Sequence, residues 1–446
     1  MRIPSLPGFT PEAFDKYFKN TGWLMLARVG SLFIKMLVTA LLLPNYLGPE
    51  LTAALNYPLI ILFTGICTLG TDALVTRQLL QHPEKENELL GSALRLRLVG
   101  GLVAIPLIYL TYYGISHFGT NAPAASFKQI VMMSLICLVQ ATQIIDSYFQ
   151  SKTQGKYIMY VQVTANILSA LLKLGLVLLK APIAAFIVML VIDVLLLQVG
   201  YIRYYRKQGK SIFNWKYNPA IARQLLLLGW PLAFSAIFVS LYMKVGQIML
   251  DMIKGNSVSG IYSVVSQHTE SWFFIATAIC TAVFPAIMNF RKNEPTLYQK
   301  RMTNLYDLMV VVSVTIALAI TFVAPFLYAT FLKPEYLAGA QALQVNAWAG
   351  VFAFLGTASG QYLIAEGLTR ISLLRTLFGA ITIIILNLLL IPKYGMVGAA
   401  AANVLAQAVS TFSLLVFAKT RAQGFILLRS LFFLNILSKI VDRHSK

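Results

Sequence analysis

Residues 182–202 read PIAAFIVMLVIDVLLLQVGYI, and residues 203–223 read RYYRKQGKSIFNWKYNPAIAR. The first stretch carries a single charge, Asp193. An α-helix rises about 1.5 Å per residue, so ~20 apolar residues cross the ~30 Å hydrocarbon core of a bilayer. Lipid offers no partner to a free backbone N–H or C=O, and a run of this kind therefore has to be helical. The second stretch contains Arg203, Arg206, Lys207, Lys210, Lys216 and Arg223. Such loops stay on the cytoplasmic side of membrane proteins. One lipid-crossing helix followed by one basic loop is the pattern that the rest of the chain repeats.

Working outward, five apolar runs precede this one, at roughly 22–43, 53–76, 92–113, 129–149 and 157–179. Six follow, at roughly 229–250, 259–288, 304–330, 340–364, 371–391 and 396–418. The fold class expected is all-α: a polytopic membrane protein of about twelve transmembrane helices. The tail 425–440, FILLRSLFFLNILSKI, is too short and too basic for a further span and is expected at the membrane interface. Composition agrees, with 58% hydrophobic and only 12% charged residues in 446, against about 25% charged for soluble domains.

The net charge of +20 is topological rather than a sign of nucleic-acid binding. A nucleic-acid binder gathers its basic residues on one soluble face, whereas these lie between apolar runs. With the N-terminus inside, 27 of the 36 Lys and Arg fall in cytoplasmic segments. Only Lys128, Lys180, Lys254, Lys333 and Lys393 fall outside. That asymmetry sets both termini in the cytoplasm. Cys67, Cys137 and Cys280 all lie in apolar runs without metal-ligand spacing, so neither a disulfide framework nor a metal is expected. The first 21 residues are polar, with Pro4, Pro7 and Pro11, and lack signal-peptide features, so the first helix is expected to be an uncleaved anchor.

The chain also repeats at an offset of 207. Gly22-Trp23 and Gly48 match Gly229-Trp230 and Gly255, and Met36, Val38 and Leu43 match Met243, Val245 and Leu250. Both copies start inside, which makes two six-helix lobes of the same orientation, residues 1–210 and 211–420, with a basic cytoplasmic tail at 421–446. Parallel repeats of this kind place a transport site between the halves.

Once 27 cations are assigned inside and five outside, four remain within helices: Arg28, Lys35, Lys173 and Lys244. A charge at mid-bilayer costs about 2.5–3.5 kcal/mol on insertion scales, so it should face protein or a watery cavity, or else snorkel to the interface. Each belongs to a polar stripe at helical spacing. The stripes are Arg28, Ser31, Lys35, Thr39; Gln162, Asn166, Ser169, Lys173; and Ser240, Lys244, Gln247, Asp251. They predict one basic cavity shared by the halves, with Arg28, Ser31, Lys35, Asn166, Lys173, Lys244 and Gln247 binding substrate. Asp146, flanked on its face by Gln143 and Gln150, is a candidate for a coupling proton or cation, as are Asp251 and Glu270, with structural ion pairing the plainer alternative for each. No P-loop, GxSxG, metal cluster or glycine-rich dinucleotide loop is found, so no cofactor and no ATP hydrolysis are expected.

Several stretches resemble the oligosaccharide flippases of the multidrug/oligosaccharidyl-lipid/polysaccharide exporter superfamily. Residues 47–57, LGPELTAALNY, resemble the family's LGPExxGxxNY, and 69–79, LGTDALVTRQL, resemble LGxDxxVxREL. Residues 259–287, SGIYSVVSQHTESWFFIATAICTAVFPAI, are similar to a further family motif. So is the region from QYLIAEGLTRISLLRT (361–376) to LLLIPKYGMVGAAAAN (388–403). The sequence departs at Gln267, Ala276 and Gly246, where the family often has Arg, Pro and an acid. The resemblance implies a multi-pass protein of the bacterial inner membrane and no enzyme. It would move a lipid-linked oligosaccharide on a polyprenyl pyrophosphate to the outer leaflet by alternating access. The glycan would serve a surface polysaccharide such as the O-antigen of lipopolysaccharide, alongside a polysaccharide polymerase complex. The alternatives are a multidrug antiporter, which would want acids and aromatics for cationic drugs, and a glycan polymerase or ligase, which would want a large outer loop.

Overall fold

The computed structural model describes residues 11–435 apart from 289, 292 and 293, without the side chains of 11–21, 24, 73, 235, 282, 285, 286 and 369. Arg2 and the end of the tail lie outside the described residues. The chain forms two compact units. Unit 1 comprises Met1–Leu43, Leu59–His117 and Ala125–Ile237; unit 2 comprises Pro44–Pro58, Phe118–Ala124 and Phe238–Lys446. No strand occurs among the described residues.

Unit 1 holds α1 (Pro11–Lys35), whose helix runs on through a π-helical stretch at Met36–Leu42. The next helix, α2 (Leu43–Leu55), belongs almost wholly to unit 2. Back in unit 1 come α3 (Leu59–Thr68), α4 (Thr71–Gln81) and α5 (Glu86–Phe118). After them run α6 (Phe127–Ser134), α7 (Ile136–Val139), α8 (Ile144–Ser151), α9 (Gly155–Leu178) and α10 (Ile183–Lys207). The core sits where α4, α5, α8, α9 and α10 meet around Val75, Leu90, Ile145, Phe149, Tyr201 and Tyr205. Packing is close enough to demand glycine: a Cβ on Gly91 would lie 2.3 Å from the carbonyl oxygen of Lys216.

The long helix α11 (Pro219–Lys254) begins in unit 1 and ends in unit 2. Unit 2 continues with α12 (Asn256–Glu270), α13 (Phe274–Met288), α14 (Pro295–Phe331), α15 (Ala338–Asn346) and α16 (Ala349–Ala365). It closes with α17 (Thr369–Phe412) and α18 (Arg421–Leu431). Its core gathers Trp272, Met302, Tyr306, Phe354, Leu355 and Leu427. Leu427 brings one face of α18 into that core, and Ser430 donates to Asp307 Oδ1 at 2.8 Å. The tail is therefore packed into unit 2 as far as residue 435.

All twelve apolar runs fall on helices. Eight described helical stretches are long and apolar enough to cross a bilayer, α17 counting once although it turns at Gly395 (φ 55°). The remaining crossings are broken ones: α3 and α4 part at Leu69-Gly70, α12 and α13 at 271–273, and α15 and α16 at Ala347-Trp348. Apolar side chains such as Leu102, Leu171, Phe322 and Leu388 stand exposed on helix surfaces, as lipid-solvated helices require. The repeat has a conformational counterpart. Gly48 (φ 78°, ψ 171°) and Gly255 (φ 90°, ψ 172°), 207 residues apart, adopt the same backbone geometry, in a region that essentially only glycine enters. Asn56 and Ser263, also 207 apart, hydrogen-bond to each other at 3.2 Å in unit 2.

Candidate functional site

Three helical segments of unit 1 line a cavity of about 260 Å³. The first helix contributes Lys35 together with Val38 and Thr39 of the π-helical stretch. Asn166, Ser169 and Lys173 come from α9, and Asp193 from α10, with Leu190, Val194 and Leu197 completing an apolar wall. Spacings of three and four residues bring Asn166, Ser169 and Lys173 onto one face of α9. The i→i+5 register at 36–42 is a local departure from the α-helix of the kind that recurs at functional sites. There Thr39 donates its hydroxyl to the carbonyl of Lys35.

The charges inside are unequal. Lys173 Nζ lies 2.5 Å from Asp193 Oδ2, and Ser169 donates to Asp193 Oδ1 at 2.6 Å. Lys173 is buried and is held by this pair rather than reaching for the interface. Lys35 has no ion pair among the described residues, although Lys173 and Asp193 both act on it electrostatically. The cavity thus holds two ammonium groups and one carboxylate. Asn166 donates to Ser31 Oγ at 2.8 Å and to the carbonyl of Gln162 at 2.6 Å, which ties α9 to α1.

The other candidates fall elsewhere. Arg28 is exposed and does not line the cavity. Asp146 accepts from Gln150 at 3.1 Å through Oδ2, while its buried Oδ1 has no partner among the described residues. Gln143 is exposed on a 3-10 turn that interrupts the helix between α7 and α8. In unit 2, Lys244 Nζ bonds both oxygens of Glu270, at 2.6 and 2.8 Å. Gln247 donates to the carbonyl of Asn56 at 3.0 Å. Asp251, 1% exposed, accepts the backbone N–H of Ala124 at 3.0 Å, which fastens segment 118–124 within unit 2.

Two arginines that charge sorting places in cytoplasmic segments lie inside helices instead. Arg97 of α5 is 1% exposed, bonded to Asp72 at 2.5 Å and to Thr71 at 2.9 Å. Arg375 of α17 bonds Ser359 and the Gly356 carbonyl. Asn387 is also notable: it is fully buried, neither amide atom has a partner among the described residues, and a Cβ on Gly246 would stand 3.5 Å from it. An acid at 246, as the resembling family often has, would meet that amide.

The described chain is a multi-pass, all-helical membrane protein with a cavity of mixed polar and apolar lining inside one helical unit. A family described as "Polysaccharide biosynthesis protein" matches residues 17–291, and the chain belongs to it. The chain is 24% identical over 420 residues to the capsular polysaccharide biosynthesis protein CapF of Staphylococcus aureus, covering 90% of this chain and 99% of that one. Among solved structures, the lipid II flippase MurJ in an inward closed conformation superposes with a TM-score of 0.69 at 16% identity, over 95% of this chain and 93% of that one. An inward-facing multidrug resistance MATE transporter of the MOP superfamily gives 0.66 at 16% identity, over 92% and 96%. The fold is that of the MOP transporters, as the sequence resemblance implies.

Proposed function

We propose that this chain is a flippase that moves a lipid-linked oligosaccharide from the inner to the outer leaflet of a bacterial cytoplasmic membrane, with both termini in the cytoplasm. The observation that carries the reading is the excess cation of the unit 1 cavity. A carrier pyrophosphate brings negative charge and a glycan brings hydroxyls, and neither crosses hydrocarbon unaided. Lys35 offers a charge without its own carboxylate, and Asn166, Ser169 and Thr39 offer amide and hydroxyl partners beside it. Lysine holds phosphate as a point charge, with attraction but no fixed geometry, which suits a group that must be released again. Arg28, exposed on α1, meets the substrate outside this cavity.

The transport is by alternating access of two six-helix lobes, 1–210 and 211–420, with the lipid tail remaining in the bilayer. Lys173 and Lys244 take part through exchangeable pairs with Asp193 and Glu270. Of the acids weighed for coupling to a proton or cation, Asp146 has the carboxylate oxygen that no donor satisfies. Asp251 is occupied by a backbone N–H, and Glu270 by Lys244. The relative's name supports a surface polysaccharide such as capsule as the product line; an O-antigen as the product and a polymerase as functional partner belong to the proposal alone. A multidrug antiporter is disfavoured, because a cavity with two ammonium groups repels cationic drugs.

The test is reconstitution in liposomes with a polyprenyl-pyrophosphate oligosaccharide, reading its accessibility to an external lectin or glycosidase. Lys35→Ala should slow translocation strongly at unchanged protein abundance, and Lys35→Arg should keep most of it. Normal flipping by Lys35→Ala sinks the cavity mechanism.

A further inference from the structure

The α16–α17 pair of unit 2 holds a guanidinium that the reading above leaves unused. Arg375 stands six residues inside α17, ~9 Å along the helix from its start. Its Nη1 donates to Ser359 Oγ at 2.8 Å and its Nη2 to the Gly356 carbonyl at 2.7 Å. Both partners are neutral. Its Nε is enclosed and has no acceptor among the described residues. The ionisable groups that act on it are the phenols of Tyr242 and Tyr306, a residue type uncharged at neutral pH. No carboxylate pairs with Arg375 among the described residues, in contrast to Arg97 with Asp72 and Arg291 with Glu366.

A guanidinium has five N–H donors in a planar fork. The two bonds to the protein use two of them; Nε–H is enclosed without an acceptor, and one further N–H on each of Nη1 and Nη2 is left for a ligand. The glycines of α16 let its backbone come up against the guanidinium: a Cβ on Gly356 would stand 3.7 Å from Nη2, and one on Gly360 3.5 Å, so a larger side chain at either would press on the group. A buried charge without a partner is strongly disfavoured, and a planar fork with free donors matches the paired oxygens of a phosphate.

We infer that Arg375, seated on Ser359 and the Gly356 carbonyl, is a phosphate-binding site of unit 2. The missing counter-charge comes from a ligand. A lipid-linked pyrophosphate, an anionic phospholipid headgroup and free phosphate share this chemistry. The first source rests on the flippase reading; the site itself does not, because it is tested by binding and not by transport.

The experiment uses the full chain in phosphatidylcholine nanodiscs, on a Lys35→Met background that removes the uncompensated cation of the unit 1 cavity. Farnesyl pyrophosphate and inorganic pyrophosphate are titrated calorimetrically, and retention of phosphatidylglycerol doped into the discs is read by native mass spectrometry. Arg375→Gln should weaken the bound probe by about tenfold to hundredfold, the range for a hydrogen bond to a charged group. Arg375→Lys should fall between. Gly360→Leu, which sets a bulky side chain against Nη2 without removing the arginine, should also weaken binding, which decides the matter if Arg375→Gln fails to fold. Selective loss of farnesyl pyrophosphate marks the lipid carrier as the source. Equal loss of inorganic pyrophosphate marks free phosphate, and loss of phosphatidylglycerol alone marks a headgroup. The inference is overturned if the parent binds none of the three, or if the folded variants bind all three as the parent does.

Discussion

Asp193→Asn removes the one carboxylate from a cavity that holds two ammonium groups, and the structure gives the size of the effect. The Lys173–Asp193 contact is 2.5 Å, with the two side chains 8% and 25% exposed. Removing one member of a buried pair costs about 3–5 kcal/mol, because the other charge is left without compensation. The partial exposure of Asp193 puts the expected loss near the lower end, about 3 kcal/mol. Replacing both members, as in Lys173→Met with Asp193→Leu, should cost far less than the two single changes together. Buried pairs exchanged for apolar residues of similar volume are often neutral. The coupling energy from the cycle should then be about 2–3 kcal/mol. Lys35 gives an independent check. It repels Lys173, so Lys35→Met should recover part of the stability lost in Asp193→Asn. Unfolding of the purified chain in mixed micelles, followed by tryptophan fluorescence against denaturing detergent, reads every variant. Additive single losses, or a further loss when Lys35→Met is added to Asp193→Asn, would refute the argument that these three groups share one electrostatic site.

Three more outcomes are expected. Gly260→Ala places a Cβ 1.8 Å from the Pro49 carbonyl oxygen within unit 2; overpacking against backbone should cost about 3 kcal/mol, and unchanged thermal stability would show that α2 and α12 separate freely. Glu270→Gln leaves Lys244 without its carboxylate and should destabilise by about 3 kcal/mol, with Lys244→Met restoring much of it; the same unfolding assay reads both. Lys210, in the loop between α10 and α11, has its pKa raised chiefly by its hydrogen bond to Glu86, 2.9 Å away. A raised folded pKa means that this contribution is complete below the unfolded value near pH 10.4 and is lost as pH climbs through the folded one. The midpoint gap between wild type and Glu86→Gln should therefore be flat up to about pH 10 and narrow above it; a gap that closes on acidification from pH 9 to 7 would contradict the assignment.

The twelve apolar runs were legible because lipid forces every long apolar segment into a helix, leaving hydropathy few ways to mislead. The breaks were legible only in part. Gly70, at φ 63°, is a visible cause for the parting of α3 from α4. The break at 271–273 contains neither glycine nor proline. There Trp272 packs so tightly over Gly350 that a Cβ on that glycine would stand 1.8 Å from the indole ring. That is tertiary packing overriding a continuous hydropathy signal, and no local pattern carries it. Stripe reading likewise found Lys35, Asn166, Ser169 and Lys173 as neighbours, because three- and four-residue spacing decides a helix face. It could not bring in Asp193, which stands on the next helix.

That omission explains why four membrane cations looked alike in the sequence and differ in the fold. Lys173 is compensated by an acid 20 residues on, and Lys244 by one 26 residues on; in both cases the partner lies one helix further along. Arg97 was counted as a loop residue and proves to be a buried, paired one. Counting cations by segment establishes topology, since insertion responds to the number of positive charges near a helix end. It says nothing about which charges the folded chain has already neutralised. The informative groups are those that folding leaves over. Among the described residues Lys35, on an accessible face of the unit 1 cavity, and Arg375, part-buried in unit 2, lack a carboxylate of their own. On the proposed function, the pyrophosphate of the bound substrate supplies the negative charge that Lys35 lacks.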